Sequence, residues 1–269
     1  YQGDIINHEN LRKLDANCRT AIIMLKPKTQ IQCIKTHQNP PKDNLVMLCW
    51  NVAKLTNTDK FSTYLETIIK HNSVDVLLFQ EFKKSITKEL HMGDFSYILA
   101  PNMQTKKNIF GVLSAFKIDC DTMLTLLSKK RELHYLTHKS ALITRHTLDA
   151  SHQLLIANIH AVNFVKNRDF FEEMNQIKEA IYTHQGPMII AGDFNTWNKK
   201  RMQFLKIMIQ ELSLKEILPQ DNRYRKRFFK HPLDHVFYRG LDVTAAQVLN
   251  SREISDHNPL LVTFKNTIC

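Results

Sequence analysis

Six short segments of the chain each set an acid, an amide or an imidazole beside a run of apolar, β-forming residues. Asn51 follows Leu45–Trp50, Glu81 follows Val74–Phe79, His160 follows Leu154–Ile159, and Asp193 and Asn195 follow Met188–Ala191. Asp234 lies within Pro-Leu-Asp-His-Val-Phe-Tyr, and Asp256-His257 precede Pro259–Phe264. In the first four segments the apolar run stops abruptly at the polar residue, as when a buried strand delivers a side chain to a sheet rim. Residues distant in sequence then converge on one rim. Their types suit a site for a divalent metal and a phosphate.

Mg²⁺ takes hard oxygen ligands, usually one or two carboxylates with waters and a substrate phosphate. Glu81 and Asp256 are the carboxylates placed to supply them, with Asn51 holding either a metal-bound water or Glu81 itself. A single acid at a strand end is more often a turn residue, but several such acids in one chain weaken that reading. Asp193 and Asn195 stand two apart, so extended backbone points both to one side. There an acid and an amide position a water nucleophile and bind a phosphoryl oxygen. An Asx-turn ahead of a helix explains the same pair equally well.

Of the thirteen histidines, His8, His37, His71 and His146 read as surface residues. His160 and His257 read as general acid and electrostatic stabiliser on a phosphodiester, each requiring a carboxylate to fix its tautomer. Asp234 is the partner expected for His257. Phosphoryl transfer otherwise needs in-line positioning and charge neutralisation. A zinc site is disfavoured, because neither HExxH nor a Cys/His ligand spacing occurs. No GxxxxGKS, GxxxxGKT or GxGxxG segment offers a glycine-rich phosphate cradle either.

The elements that must position these groups follow from periodicity. Thr58 is a candidate N-cap for a helix with Phe61, Leu65, Ile68 and Ile69 on one face. Phe170, Met174, Ile177 and Ile181 form a second apolar stripe. Asn198 is placed to cap a third helix carrying Met202, Leu205, Ile209 and Leu212. These stripes are core packing and carry no chemistry. Phe110–Phe116 and Ala141–Leu148 read as further strands. Strands joined by both helices and hairpins fit an α/β fold with a mixed sheet, or two stacked sheets, covered by helices. Residues 1–44 lack sustained periodicity and end on Asn39-Pro40-Pro41, so they are expected to form an irregular N-terminal arm ahead of a catalytic domain at 45–269.

At 269 residues and 43% hydrophobic, the chain is long and apolar enough for one sizeable core. No apolar run approaches 18 residues, which excludes a membrane-spanning helix from the sequence. A formal charge of +11 points to polyanionic partners: nucleic acid, anionic lipid head groups or phosphorylated small molecules. The five cysteines (18, 33, 49, 120 and 269) show no CxxC pairing; their odd count and irregular spacing favour a reducing, cytoplasmic compartment, while export would allow Cys18 and Cys33 to pair. Cys49, inside an apolar strand, reads as a buried thiol. The sequence opens on Tyr1 rather than Met, so a further upstream segment is expected and export stays open.

Trp50-Asn51, Phe79-Gln80-Glu81, Asn158-Ile159-His160, Gly192-Asp193-Phe194-Asn195, Leu233-Asp234 and Ser255-Asp256-His257-Asn258-Pro259 occur in the order typical of one group. Over about Leu45–Phe264 the chain resembles the endonuclease/exonuclease/phosphatase superfamily, which is DNase I-like. More narrowly, Asn158–Phe164, Gly186–Trp197, Pro232–Leu241 and Ser255–Leu261 resemble the bacterial YafD-type branch. The resemblance implies a four-layered α/β sandwich, two packed mixed β-sheets flanked by helices. It also implies Glu81 as metal ligand with Asn51 beside it and Asp256 near the metal. His160 and His257 become the catalytic histidines, the latter paired with Asp234, while Asp193 and Asn195 orient water and phosphate. No acid supporting His160 is identifiable, because residues 91–108 match no pattern.

Substrate choice is expected to lie in two basic-aromatic clusters. Asn222–His231 brings Arg223, Arg225, Lys226 and Arg227 to grip phosphates, with Tyr224, Phe228 or Phe229 to stack on a base or enter lipid. Trp197 with Lys199, Lys200 and Arg201 forms the other, at a helix start where positive charge opposes the dipole. Lys139-Ser140, ahead of a strand, is a weaker candidate for reaching a phosphate. The leading expectation is a monomeric Mg²⁺-dependent (or Mn²⁺-dependent) phosphodiesterase acting on nucleic acid. The alternatives are a phospholipid, phosphoinositide or sphingomyelin hydrolase working at a membrane surface, and a catalytically silent anion-binding module. Intact acids and both histidines argue against the last.

Overall fold

The apolar runs at 45–50 and 74–79 become neighbouring parallel strands, and those at 154–159 and 188–191 become a second such pair. This is seen in a computed structural model that describes residues 31–35, 37, 43–56, 58–132, 137–219, 225–228, 231–251 and 253–265. In chain order the elements are β1 (Ile31–Cys33), β2 (Asn44–Asn51), α1 (Asp59–Asn72), β3 (Val76–Ser85), β4 (Ser96–Gln104), β5 (Asn108–Phe116) and β6 (Thr122–Leu127). Next come β7 (Ser140–Thr147), β8 (Gln153–His160), α2 (Asn167–Ile181), β9 (Met188–Asp193), α3 (Lys199–Glu211), β10 (Lys215–Glu216) and β11 (Arg227–Phe228). The last are β12 (His231–Pro232), β13 (Asp234–Arg239), β14 (Asp242–Val248) and β15 (Leu260–Lys265).

One sheet runs β1-β4-β5-β3-β2-β15-β14 and the other β10-β13-β9-β8-β7-β6. Within each, a single parallel pair (β2 with β3, β8 with β9) is crossed over by a helix, and the remaining pairings are antiparallel. Strand periodicity sorts the side chains. Met47, Cys49, Val76 and Leu78 face the opposite sheet and meet Ile156, Ile189, Ala191 and Val236. Their neighbours Leu48, Trp50, Leu77 and Phe79 face outward beneath Phe61, Leu65 and Ile68 of α1. On the far side Leu155, Ala157 and Ile190 lie beneath Phe170, Met174 and Ile177 of α2 and Leu205 and Met208 of α3. Burial on both faces is why these strands read as unbroken apolar runs. The result is the expected four-layered sandwich, two mixed sheets flanked by helices.

The helix starts follow the capping signals. Thr58 Oγ1 accepts from the Phe61 amide at 3.3 Å and Asn198 Oδ1 from the Arg201 amide at 3.0 Å. Cys49 is the buried thiol its strand indicated, and burial pushes its pKa up. Among the described residues no helix is long and apolar enough to cross a membrane.

Three features depart from the sequence reading. Within the supposed irregular arm, Ile31–Cys33 pair antiparallel with β4 as an edge strand (Ile31 opposite Leu99); residues 1–30 lie outside the described residues. β4 itself is unreadable from local pattern because Pro101 interrupts it, at a point where its register against β5 shifts. His146 is not a surface residue. It is fully buried, contacting the Asp119 carbonyl oxygen at 2.8 Å and Thr144 Oγ1 at 2.9 Å, with its ring edge-on to Phe116.

Burial lowers the His146 pKa from 6.5 to about 4, so the fold binds the neutral ring. Stability that is present above the unfolded pKa is therefore lost as pH falls toward 4, by on the order of 3 kcal/mol for a shift of this size. We predict that His146→Gln, followed by urea unfolding at pH 7.5 and pH 4.5, loses clearly less stability between the two than wild type. Equal losses would remove His146 as the acid-sensitive element.

Candidate active site

Both parallel pairs end at the same rim, where Asn51 lies opposite Gln80 and His160 opposite Asp193. The antiparallel partners begin there: Asp234 of β13 is opposite Asp193, and the 255–259 turn leads into β15, whose Leu260 pairs with Cys49 of β2. Ligand sites at the carboxyl ends of parallel strands follow from this geometry. Beneath the rim, buried amides join the sheets. Gln80 Nε2 donates to Asn158 Oδ1 at 2.7 Å, and Asn158 Nδ2 lies 3.0 Å from the Leu113 carbonyl and 3.2 Å from Ser114 Oγ.

Two backbone features aim the side chains. β3 bulges between Phe79 and Phe82, and Glu81 takes φ +54° there, a costly conformation for a non-glycine residue. Gly192 sits at φ +144°, and a Cβ on it would lie 1.9 Å from the Ile159 carbonyl oxygen. Only glycine lets β9 approach β8 closely enough to set Asp193 beside His160.

The site is a cleft of about 780 Å³. Asn51, Glu81, His160, Asp193, Asn195, Asp256 and His257 all line it, and Asp234 stands behind His257. Asn51 Nδ2 donates to Asp193 Oδ2 at 3.0 Å, and the Asn195 amide donates to Asp193 Oδ1 at 3.0 Å. Asn195 Nδ2 ties down the Ala161 carbonyl at 2.9 Å. Ser255 Oγ donates to the Asn51 carbonyl, and Trp50 Nε1 donates to the His257 carbonyl, fastening the last loop to β2.

The two histidines are held in opposite protonation states. His257 Nδ1 donates to Asp234 at 2.8 Å; burial works against its charge, but Asp234 outweighs this and raises the pKa to about 9. His160 is pushed well below the ordinary value by burial and then by Lys139, whose ammonium donates to its Nε2 at 3.0 Å. His160 Nε2 lies 3.8 Å and His257 Nε2 4.0 Å from Asp193 Oδ2. Burial raises the Asp193 pKa; His257 opposes this and Asp234 adds to it. For Glu81, burial pushes upward, yet Lys139 and Lys54 more than offset it and leave the carboxyl below its usual range.

The sequence expected a carboxylate behind His160. Its Nε2 faces Lys139 instead, with Glu81 Oε1 3.7 Å away. Lys139 is also 3.5 Å from Glu132, a residue the sequence did not single out. Asn51 lines the same cleft as Glu81 and Asp256, with its Nδ2 donating to Asp193 and its Oδ1 accepting from the Ala53 amide at 3.0 Å. The basic-aromatic clusters largely fail to reach the cleft. Arg225 is buried, donating twice to the Asp234 carbonyl and pairing with Glu216, so it braces Asp234 from behind. Arg227 is exposed but does not line the cleft, and Arg223 lies outside the described residues. Lys226 is the member that arrives, pairing with Asp256 at 2.7 Å. Trp197 does not line the cleft; it covers the Arg201 guanidinium, which is fully buried between it and Phe170 and donates to the Val162, Val165 and Asn195 carbonyls.

Two oxygen-rich sets suit a cation. Asp193, Asp234 and His257 gather their ligand atoms within 4.8 Å, but these are already joined by the Asp234–His257 and Asn51–Asp193 hydrogen bonds. Glu81 and Asp256 are freer, each matched to a lysine ammonium, Lys54 at 3.2 Å and Lys226 at 2.7 Å. Carboxylates needing cations, without sulfur ligands, fit a hard divalent ion.

Residues 48–257 match the profile of the Endonuclease/Exonuclease/phosphatase family. The chain belongs to this family. Members are typically divalent-metal dependent and act on phosphoester bonds. The fold is similar to the human Nocturnin catalytic domain with bound sulfate (TM-score 0.62, 15% identity, covering 89% of this chain and 97% of that one). It is similar also to the endonuclease domain of TRAS1, a telomere-specific non-LTR retrotransposon (0.57, 13%, 83% and 99%). A third likeness is to the Bacteroides thetaiotaomicron VPI-5482 mannosyl-6-phosphatase (0.55, 14%, 82% and 99%).

Because Asn158 of β8 satisfies donors and acceptors on β3 and β5 of the opposite sheet, Asn158→Leu should strand buried partners and cost about 2–4 kcal/mol in urea unfolding. A loss below about 0.5 kcal/mol would show that the amide joint carries no weight. Gly192→Ala should leave little folded protein, since the obstacle is backbone; a variant of wild-type stability would contradict the clash.

Proposed function

We propose that this protein hydrolyses a phosphodiester by in-line attack of water, with nucleic acid as substrate and Mg²⁺ as metal. The observation that carries the reading is Asp193 between two imidazoles of opposite charge state. Asp193, buried and held on both oxygens by Asn51 and Asn195, accepts a proton from the attacking water. Protonated His257, locked by Asp234, faces the phosphoryl group as a cationic donor. Neutral His160 shares its Nε2 with Lys139, whose ammonium lines the cleft 3.5 Å from Glu132 and 3.9 Å from Glu81. Glu81 and Asp256 would hold the divalent ion, which when bound supplies positive charge against the phosphate oxygens.

A net charge of +11, with Lys54, Lys139 and Lys226 lining the cleft, favours a polyanion over a neutral-headed lipid. The similarity of residues 158–164, 186–197, 232–241 and 255–261 to the YafD-type branch supports placing the chain there.

Purified protein is expected to nick plasmid DNA with Mg²⁺ and to stop when the ion is chelated. His160→Ala, His257→Ala and Asp193→Asn should each lower the rate about 10²- to 10⁴-fold. Hydrolysis of sphingomyelin or a phosphoinositide without any cleavage of DNA or RNA would overturn the nuclease reading. Turnover of no phosphoester with either Mg²⁺ or Mn²⁺ would overturn the enzymatic one.

A further inference from the structure

One side chain beside the catalytic cleft takes no part in the hydrolysis and is costly to place. Phe164 is 66% exposed, and among the described residues it is the only exposed large apolar side chain that lines the cleft. Its backbone sits at φ +31°, a region aromatic residues rarely occupy. Solvating a phenyl ring and straining its backbone both oppose folding, so something must hold it there.

That support is explicit. The loop after β8 is pinned at five successive residues. The Ala161 carbonyl accepts from Asn195 Nδ2, and the Val162 amide donates to buried Glu173 at 2.8 Å. The Asn163 amide donates to Glu132 at 2.6 Å, and the Phe164 amide donates to Asn163 Oδ1 at 3.0 Å. The Val162 and Val165 carbonyls both accept from buried Arg201, at 2.9 and 3.0 Å. Buried Glu173 and buried Arg201 thus fix a loop whose outward product is one exposed ring. This is the arrangement of a preorganised contact surface.

The surroundings indicate what the ring meets. Insertion into a membrane needs a cluster of exposed apolar groups, and the other large apolar residues lining the cleft, Met103, Phe110 and Leu233, are half-buried or buried. The cleft that the ring borders is also lined by two amides, Asn163, which directly precedes it in the chain, and Asn102. A flat face beside hydrogen-bonding amides suits a planar heterocycle with polar edges. We propose that Phe164 is a specificity-determining platform on which a nucleobase next to the scissile phosphate stacks. This rests on the phosphodiesterase reading of the cleft and names the group that flanks the bond.

The test uses two substrates of equal phosphate content. One is a short single-stranded oligodeoxynucleotide; the other is the same chain built of abasic tetrahydrofuran residues. Wild type should favour the base-bearing chain in kcat/KM by about 5- to 100-fold, the range that one stacked base supplies. Phe164→Ala should bring this ratio toward one, while Phe164→Trp keeps it. A preference that survives in Phe164→Ala, or a loss equal on both chains, overturns the platform. Wild type cleaving both chains equally also overturns it while leaving the phosphodiesterase reading intact. Cleavage of neither chain, alongside turnover of phosphoinositide in mixed vesicles, would instead sink both readings.

Discussion

Everything in this molecule depends on two parallel strand pairs meeting back to back with their carboxyl ends level. Apolar packing between sheets is nearly indifferent to a slide of one sheet along the other, since Val, Ile and Leu faces interdigitate in many registers. The buried Gln80–Asn158 contact is not indifferent. Its hydrogen bonds run from β8 to β3 and β5, and a slide would leave amides and carbonyls without partners. Glu81 directly follows Gln80, and His160 stands just past Asn158 on its strand. A directional bond therefore fixes the distance between groups that belong to different sheets, and the Asn51–Asp193 bond repeats the arrangement at the rim.

Above that joint, charge rather than packing decides the chemistry. Two imidazoles lie within about 4 Å of one carboxylate, yet their environments are driven apart: Asp234 sits behind His257, and Lys139 sits in front of His160. Divergent protonation of neighbouring groups is how one site offers both an acceptor and a donor of protons near neutrality. The acids at the cleft mouth are matched by lysines instead of one another, so the cleft holds cations where a phosphate would lie. The strained φ of Glu81 and the glycine at 192 are the backbone counterparts of this ordering.

Much of this was legible in the sequence, for a physical reason. A doubly buried strand must be apolar, so a polar residue where its apolar run stops is conspicuous: Asn51, His160 and Asp193 end their strands, and Glu81 sits at the bulge where the run of β3 breaks. Asp234 and His257 were readable as an imidazole and a carboxylate to fix its tautomer, and the motif order that resembles a known family pointed to the same pair. The illegible part lies in side-chain direction. Lys139 and Arg225 are both basic residues next to a strand, yet one faces the cleft and the other braces the Asp234 backbone from behind. Arg201 looked like a solvated anion ligand because local sequence does not report that three carbonyls await it in the interior. His146 and β4 escaped local reading for the same reason: tertiary partners (the Asp119 carbonyl, β5 and β1) overrode local pattern.

In the proposed reaction one water, activated at Asp193, displaces the leaving oxygen in a single in-line step. The stereochemical course at phosphorus tests this most directly, using a P-chiral phosphorothioate diester cleaved in ¹⁸O-labelled water. A single displacement inverts the configuration and leaves the label on the product phosphorus. Retention would mean two displacements through a covalent enzyme intermediate, and would contradict the roles of Asp193, His160 and His257 as proton acceptor and electrostatic partners of one attacking water.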